Sequence, residues 1–251
     1  MPTPDTLPHV LQIPIVRDFL ARVENSKVAP LFAEYRDIFL ACSAATTRHH
    51  NFTHGLLIHT AEVWECAQRF RDVTPGSVAT IKRVDVNEWY GIEELLVSVA
   101  LHDFAKVKQY EPADNHSWRK VEMICNQETW TLRELARFGI ALTDNELVGL
   151  LHAEGGYTEF QVDWRPMSVI LHAADLWSSQ ATAAVWNPAE AMGVTCPTCG
   201  SPMRSISGKN GAFFGCTRYA AGCRGTRDAS SVPPIGEAFL TWLRKMYPLP
   251  V

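Results

Sequence analysis

The sequence predicts an all-α helical bundle followed by a small four-cysteine module that folds as short β-strands, and three observations predict it. Apolar residues recur at helical spacing over most of the stretch up to about residue 185, and no convincing alternating strand pattern precedes residue 190. The segment 92–106 is apolar nearly all round, as a helix in the middle of a bundle is. Past Asn187-Pro188 the composition turns to Cys, Gly, Ser and Arg, with Cys196, Cys199, Cys216 and Cys223 spaced C-x2-C, x16, C-x6-C. The expected division is a helical domain over 1–190, the module over 194–228, and a terminal helix and tail over 233–251.

The helices follow in order. Residues 9 to about 45 read as helices, with Pro14 in a first turn and Val16, Phe19, Leu20 and Val23 as the apolar stripe. The next helix spans 55–70 and places Leu56, His59, Val63, Ala67 and Phe70 on one face. Thr131 with Glu134, and Thr143 with Glu146, have capping-box spacing and each predict a helix start. The second of these helices runs into His152 and stops at Gly155-Gly156. Residues 167 to about 185 form another helix carrying His172 and Asp175, and Pro233 to Tyr247 reads as a short helix that packs back on the main domain.

A chain of 251 residues with 47% apolar content has enough material for a sizeable core. The N-terminal MPTPDTLPHV lacks the basic flank and apolar run of a secretory signal, and Leu95 to Leu101 is too short to span a bilayer, so a cytoplasmic protein is expected. Net charge is −4, which excludes strong global attraction to nucleic acid or acidic membranes. The distribution is uneven. Residues 194–228 hold Arg204, Lys209, Arg218, Arg224 and Arg227 against Asp228 alone, a net of +4 that leaves −8 on the remainder. Seven cysteines, odd in number and four of them clustered, fit metal binding better than a disulfide framework. Cys42, Cys66 and Cys125 are scattered and read as core residues.

His102 and Asp103 end the most apolar helix, where a carboxylate is costly unless paired or metal-bound. His59 and Asp175 also sit on apolar helix faces. Taken singly, His59 reads more readily as a hydrogen-bonded core histidine and Asp175 as a cap or ion-pair partner. Together they are three helices that each aim N or O ligands inward, which is how bundle cores build metal sites.

The runs HHNFTHGLLIHTAEV (49–63), LLVSVALHDFAKV (95–107) and ILHAADLWSS (170–179) resemble the HD superfamily of metal-dependent phosphohydrolases, in the order H, HD, D. The resemblance covers roughly residues 30–185. It implies an HD-domain-like bundle with His59, His102, Asp103 and Asp175 as metal ligands and Asp103 and Lys106 in the catalytic machinery. Lys106 stands three residues after the doublet and is a candidate phosphate contact; its plainer reading is a solvated lysine at a helix end. A mixed N/O site suits Mn²⁺, Fe²⁺, Ni²⁺, Co²⁺, Mg²⁺ or Zn²⁺, among which spacing does not choose. Binuclear members add histidines on two further helices. Here the run around Met123 to Thr129 has none and His116 lies early, in a loop, so one metal is the expectation. His152 is then a candidate general acid or phosphate contact. His172 lies one turn before Asp175 and so faces a similar direction, or is a core residue. His49 and His50, in a run with Arg48, line the substrate entrance or are surface loop residues.

The four cysteines predict a closed, structural Zn²⁺ site. The run CPTCG, GKNGAFFGC and an aromatic before the last cysteine resembles the C-terminal zinc ribbons of type IA DNA topoisomerases, which implies binding to single-stranded DNA. The match covers 196–223, and it lacks the proline usual before the last cysteine. Arg204, Lys209 and Arg218 are the candidate phosphate contacts and Phe213, Phe214 and Tyr219 the candidate base-stacking residues, at least one of the aromatics being needed for the ribbon's own core.

Together these features predict a nuclease or phosphodiesterase acting on single-stranded DNA or RNA, with a homo-oligomer as an open possibility and no membrane partner. The segment His49 to Val63 also resembles that of HD-type 3′-to-5′ exoribonucleases and of HD-type relaxases. One alternative is an HD nucleotidase or dNTP phosphohydrolase with the ribbon as an accessory module. Another is a non-catalytic nucleic-acid-binding protein or a relaxase-like fragment.

Overall fold

The computed structural model describes residues 7–45, 49–50, 52–82, 90–112, 118–153, 164–185, 194–208, 211–228 and 245–247. Helices dominate the described residues up to 185. They are α1 (Leu7–Val10), α2 (Pro14–Glu24), α3 (Ala29–Glu34), α4 (Arg36–Ala41), α5 (Gly55–Lys82), α6 (Ile92–Leu101), α7 (Lys106–Gln109), α8 (Gln127–Arg137), α9 (Asp144–His152) and α10 (Pro166–Val185). Among the described residues no helix is long and apolar enough to cross a membrane.

Pro14 opens α2, where its missing N–H costs nothing, and Val16, Phe19 and Val23 turn inward. In α6 every side chain from Leu95 to Leu101 is buried, Ser98 included. This is the central helix; it packs against α2, α5, α9 and α10. It is shorter than expected. It ends at Leu101, the chain turns at 102–105, and Lys106 starts the separate α7. Phe104 anchors that turn, its ring 4.9 Å from Phe32, 6.3 Å from Phe39 and 6.0 Å from Trp130 between centroids.

Two expectations need correcting. Thr131 does not start a helix. It lies inside α8, whose cap is Asn126, the side-chain oxygen accepting from Thr129 N at 2.9 Å. A short antiparallel hairpin, β1 (Tyr110–Pro112) with β2 (Trp118–Lys120), also stands where no strand was expected; three-residue strands are too short to show alternation. The Thr143–Glu146 box does cap α9. The same corner ties α9 to α6, since Thr143 Oγ1 donates to Glu94 at 2.6 Å and Glu94 accepts from Gly91 N at 2.8 Å.

The module has a sheet of order β3-β4-β5, all antiparallel: β3 (Met203–Gly208), β4 (Gly211–Cys216) and β5 (Thr226–Asp228). Its core of Val194, Cys196, Met203, Phe214 and Cys216 is a cluster apart from the helical one. Gly155-Gly156, Asn187-Pro188 and most of the expected terminal helix lie outside the described residues. Of that last segment, Met246 and Tyr247 pack against the helical core.

Candidate metal centres

The turn before α5 sets the first centre. His50 and His54 both have positive φ, 47° and 72°. Such backbone costs of order 1–3 kcal/mol per residue and persists only where its surroundings enforce it. Here His50 O accepts from Ala44 N at 3.2 Å and Ser43 Oγ at 3.0 Å, and a Cβ on Gly55 would lie 1.9 Å from that same oxygen. The turn thus needs glycine at 55, and it folds His50 inward beside α5.

His59 from α5, His102 and Asp103 from the end of α6, and Asp175 from α10 converge. The two Nε2 atoms are 3.4 Å apart. Asp103 Oδ2 lies 3.3 Å from His59 Nε2 and 3.5 Å from His102 Nε2. Asp175 Oδ1 lies 3.1 and 3.9 Å from the same two atoms. One ligand atom each from His59, His102 and Asp175 falls within 4.8 Å of the others. The Asp103 carboxylate meets both imidazoles and also takes a short hydrogen bond from Lys106 Nζ.

The outer bonds fix the imidazole tautomers. Val99 O accepts from His102 Nδ1–H at 2.6 Å, leaving Nε2 as a lone pair facing the centre. Ser178 Oγ spends its proton on Glu62 Oε2 at 2.6 Å, so it accepts from His59 Nδ1–H at 3.0 Å. Two imidazole Nε2 atoms and two carboxylates therefore point at one buried spot. The Lys106 ammonium already meets Asp103, and the facing nitrogen and carboxylate atoms of His59, His102 and Asp175 are suited to a metal ion as a further cation.

Electrostatics agree. Burial disfavours a charged His59, but its hydrogen bonds to the Asp103 and Asp175 carboxylates outweigh that and raise it to about 9. His59 thus holds a proton where the other groups would accept a metal. Burial keeps His102 neutral. Burial pushes Asp103 up, and the Lys106 ammonium foremost holds it well below the usual carboxylate range. The donor set of two N and two O suits a first-row divalent ion, and so fits the group that the sequence implied.

Lys106 is buried and ion-paired, which replaces its reading as a solvated lysine. His50 is fully buried, its Nε2 3.0 Å from Glu62 Oε2, so it is neither at a surface nor at an entrance. His49 is half-buried, its ring 4.9 Å from that of His59. One ring nitrogen each from His49, His50 and His59 forms a second close group within 4.8 Å. Burial, then the neighbouring His59, pushes His49 down to about 3.

His152 and His172 both lie against Trp164. Its ring lies 4.4 Å from His152 and 5.6 Å from His172, and His172 Nδ1 donates to Ala153 O at 3.1 Å. His116, Arg48 and Lys209 lie outside the described residues. Sequence reasoning missed Glu62, Ser178 and Tyr247. Glu62 and Ser178 each follow a ligand by three residues, a signal that was legible; Tyr247 gives none.

In the module the four Sγ atoms lie within 4.8 Å of one another, with Cys196–Cys223 at 3.7 Å and Cys199–Cys216 at 3.5 Å. Ligands about 2.3 Å from a tetrahedral zinc stand about 3.8 Å apart, whereas a disulfide needs about 2.0 Å. Thr198 N and Arg218 N each donate to a cysteine sulfur at 3.4 Å, which stabilises thiolate. Gly225 admits the approach, since a Cβ there would lie 2.2 Å from Cys196 Sγ. Of the expected nucleic-acid contacts, Phe214 is buried and fills the module core, which removes it from base stacking. Phe213 is half-buried, Arg204 and Arg218 are exposed, and Tyr219 is 57% exposed with the Arg224 guanidinium 3.8 Å from its ring centroid.

Fold and sites together define a mostly helical protein with a histidine–carboxylate cluster in its bundle and a four-thiol cluster in its small sheet, each suited to a metal ion. The chain matches no family model, no curated protein and no solved structure.

Proposed function

We propose that the chain is a metal-dependent phosphohydrolase of the HD type that cleaves phosphoester bonds in nucleic acid, with the zinc-bearing module holding a single strand. The observation that carries this reading is the convergence of His59, His102, Asp103 and Asp175 with both outer imidazole nitrogens fixed. A divalent ion in such a site supplies Lewis acidity toward a phosphoryl oxygen and a water of lowered pKa. The protein's own groups do the rest. His59, His102, Asp103 and Asp175 would hold the ion, Lys106 orients Asp103 and adds positive charge, and His152 is the candidate proton donor to the leaving oxygen. Tyr219 offers a stacking face and Arg204, Arg218 and Arg224 offer phosphate contacts.

A nucleotidase of the same superfamily is the second reading. It is favoured by Trp164, 47% exposed between His152 and His172, a stacking surface suited to one free base. The test supplies purified protein with Mn²⁺ and offers labelled single-stranded DNA, RNA and a nucleotide panel. Polymer degradation that disappears in Asp103→Ala is expected. Turnover of free nucleotides alone, undiminished by deleting 194–228, would establish the second reading instead.

A further inference from the structure

Glu62 is the hub of the least explained polar group in the helical core. It lies one turn after His59 on α5, and three side chains from three other segments reach it. His50 Nε2 stands 3.0 Å from Oε2, Ser178 Oγ donates to Oε2 at 2.6 Å, and Tyr247 OH donates to Oε1 through a short bond. Ser178 in turn accepts from His59 Nδ1. A continuous chain of hydrogen bonds therefore runs from Tyr247 through Glu62 and Ser178 to a ligand of the candidate metal centre. Tyr247 comes from the segment that follows the four-cysteine module, and it packs with Met246 on the helical core.

We propose that Tyr247 is a positioning residue for the metal centre, fixing Glu62 so that Ser178 holds His59 with its Nε2 turned toward the ion. This rests on the reading of His59, His102, Asp103 and Asp175 as ligands. The physical logic is direct. A carboxylate held at both oxygens by three donors is restrained from swinging, and Ser178, bound to it, presents a lone pair to His59 rather than its proton. Without the Tyr247 hydroxyl, Glu62 Oε1 loses a donor inside the protein. The carboxylate then turns to recover one, and the serine is free to rotate and lose its grip on the imidazole. Hydrogen-bonding partners behind a metal ligand typically carry about 10- to 100-fold of metal affinity. Tyr247 acts two bonds further out, so about 3- to 10-fold is expected for it.

The experiment titrates the 251-residue chain, its four-cysteine site filled with zinc and its bundle site stripped of metal, with Co²⁺, reading affinity by calorimetry and ligand geometry by visible absorption. Tyr247→Phe, which removes one oxygen, should weaken Co²⁺ about 3- to 10-fold and change the absorption band, and Ser178→Ala should weaken it by about 10-fold or more. In a Glu62→Ala background, which removes both carboxylate oxygens, Tyr247→Phe should have little further effect, because the chain is already broken. A purely structural tyrosine would lower the melting temperature of the metal-free protein and leave affinity and spectrum unchanged; that result overturns the proposal. So does full additivity of the two substitutions. His102→Ala separates the two levels. If it abolishes Co²⁺ binding while Tyr247→Phe does nothing, only the positioning role fails. If His102→Ala also leaves binding intact, the ligand assignment itself fails.

Discussion

A proton on His59 balances two carboxylates in the core, and that proton is the first thing a metal must displace. His59 is raised from 6.5 to about 9 in the folded, metal-free protein. Its charged form therefore stabilises that protein fully below pH 6.5, and the contribution fades as pH rises toward 9. The metal-bound form has no proton to lose there. The rise in melting temperature on adding Mn²⁺ should thus grow between pH 6.5 and 9, and thermal scans across that range check it. A gain that shrinks with pH would contradict the assignment of His59. Lys106 belongs to the same balance. Its ion pair with Asp103 is buried, with side-chain exposures of 10% and 7%, so Lys106→Met leaves a carboxylate without its cation. Breaking such a pair costs about 3–5 kcal/mol, and urea denaturation of the metal-free protein should show a loss of that order. Added metal should recover part of it by supplying the missing charge.

The turn 49–55 and the ends of the helices decide where the ligands sit. Gly55→Ala would drive a Cβ into His50 O, in a turn that already holds two histidines at positive φ. A loss on the order of 3 kcal/mol is expected in equilibrium unfolding, since backbone rather than a flexible side chain must yield. The cap at Asn126 predicts a milder effect: Asn126→Ala should cost about 1 kcal/mol. Thr131→Ser should leave the start of α8 untouched, because Thr131 is buried inside the helix rather than capping it. These elements also show what a sequence can and cannot display. The stripes of α2 and α5, the all-round apolar α6 and the Thr143–Glu146 box were legible because each is a local pattern. Thr131 mimicked a cap because spacing alone does not tell a helix start from a helix interior. The clustering of His59, His102 and Asp175 was legible as an ordered pattern, and the C-x2-C spacing marked the second cluster. The burial of His50 was not, because it follows from a backbone turn that opposes steric preference. Nor was the Tyr247 bond, which joins residues 185 positions apart.

At the scale of the whole molecule, two cores serve two sites. The helical cluster and the module cluster share no residue, so removing the thiol-bound metal should release the small sheet and spare the bundle. Hydrogen exchange after treatment with a zinc chelator should show lost protection over 194–228 and retained protection in α5, α6 and α10. Loss of both together would mean that the module is part of the bundle's stability. The charge division points the same way, with a basic module beside an acidic remainder. Binding of a single strand by the module should weaken steeply with salt, while hydrolysis of a mononucleotide in the bundle would respond much less.

The cluster of α5, α6 and α10 is proposed to hold a divalent metal of its own, separate from one at the thiols. Elemental analysis of protein reconstituted with Zn²⁺ and Mn²⁺ tests it most directly, on the unaltered chain and on His102→Ala with Asp175→Ala. The doubly substituted protein should keep zinc in the module at full occupancy and lose the other metal entirely. An unchanged metal content, with the same two ions per chain, would contradict it.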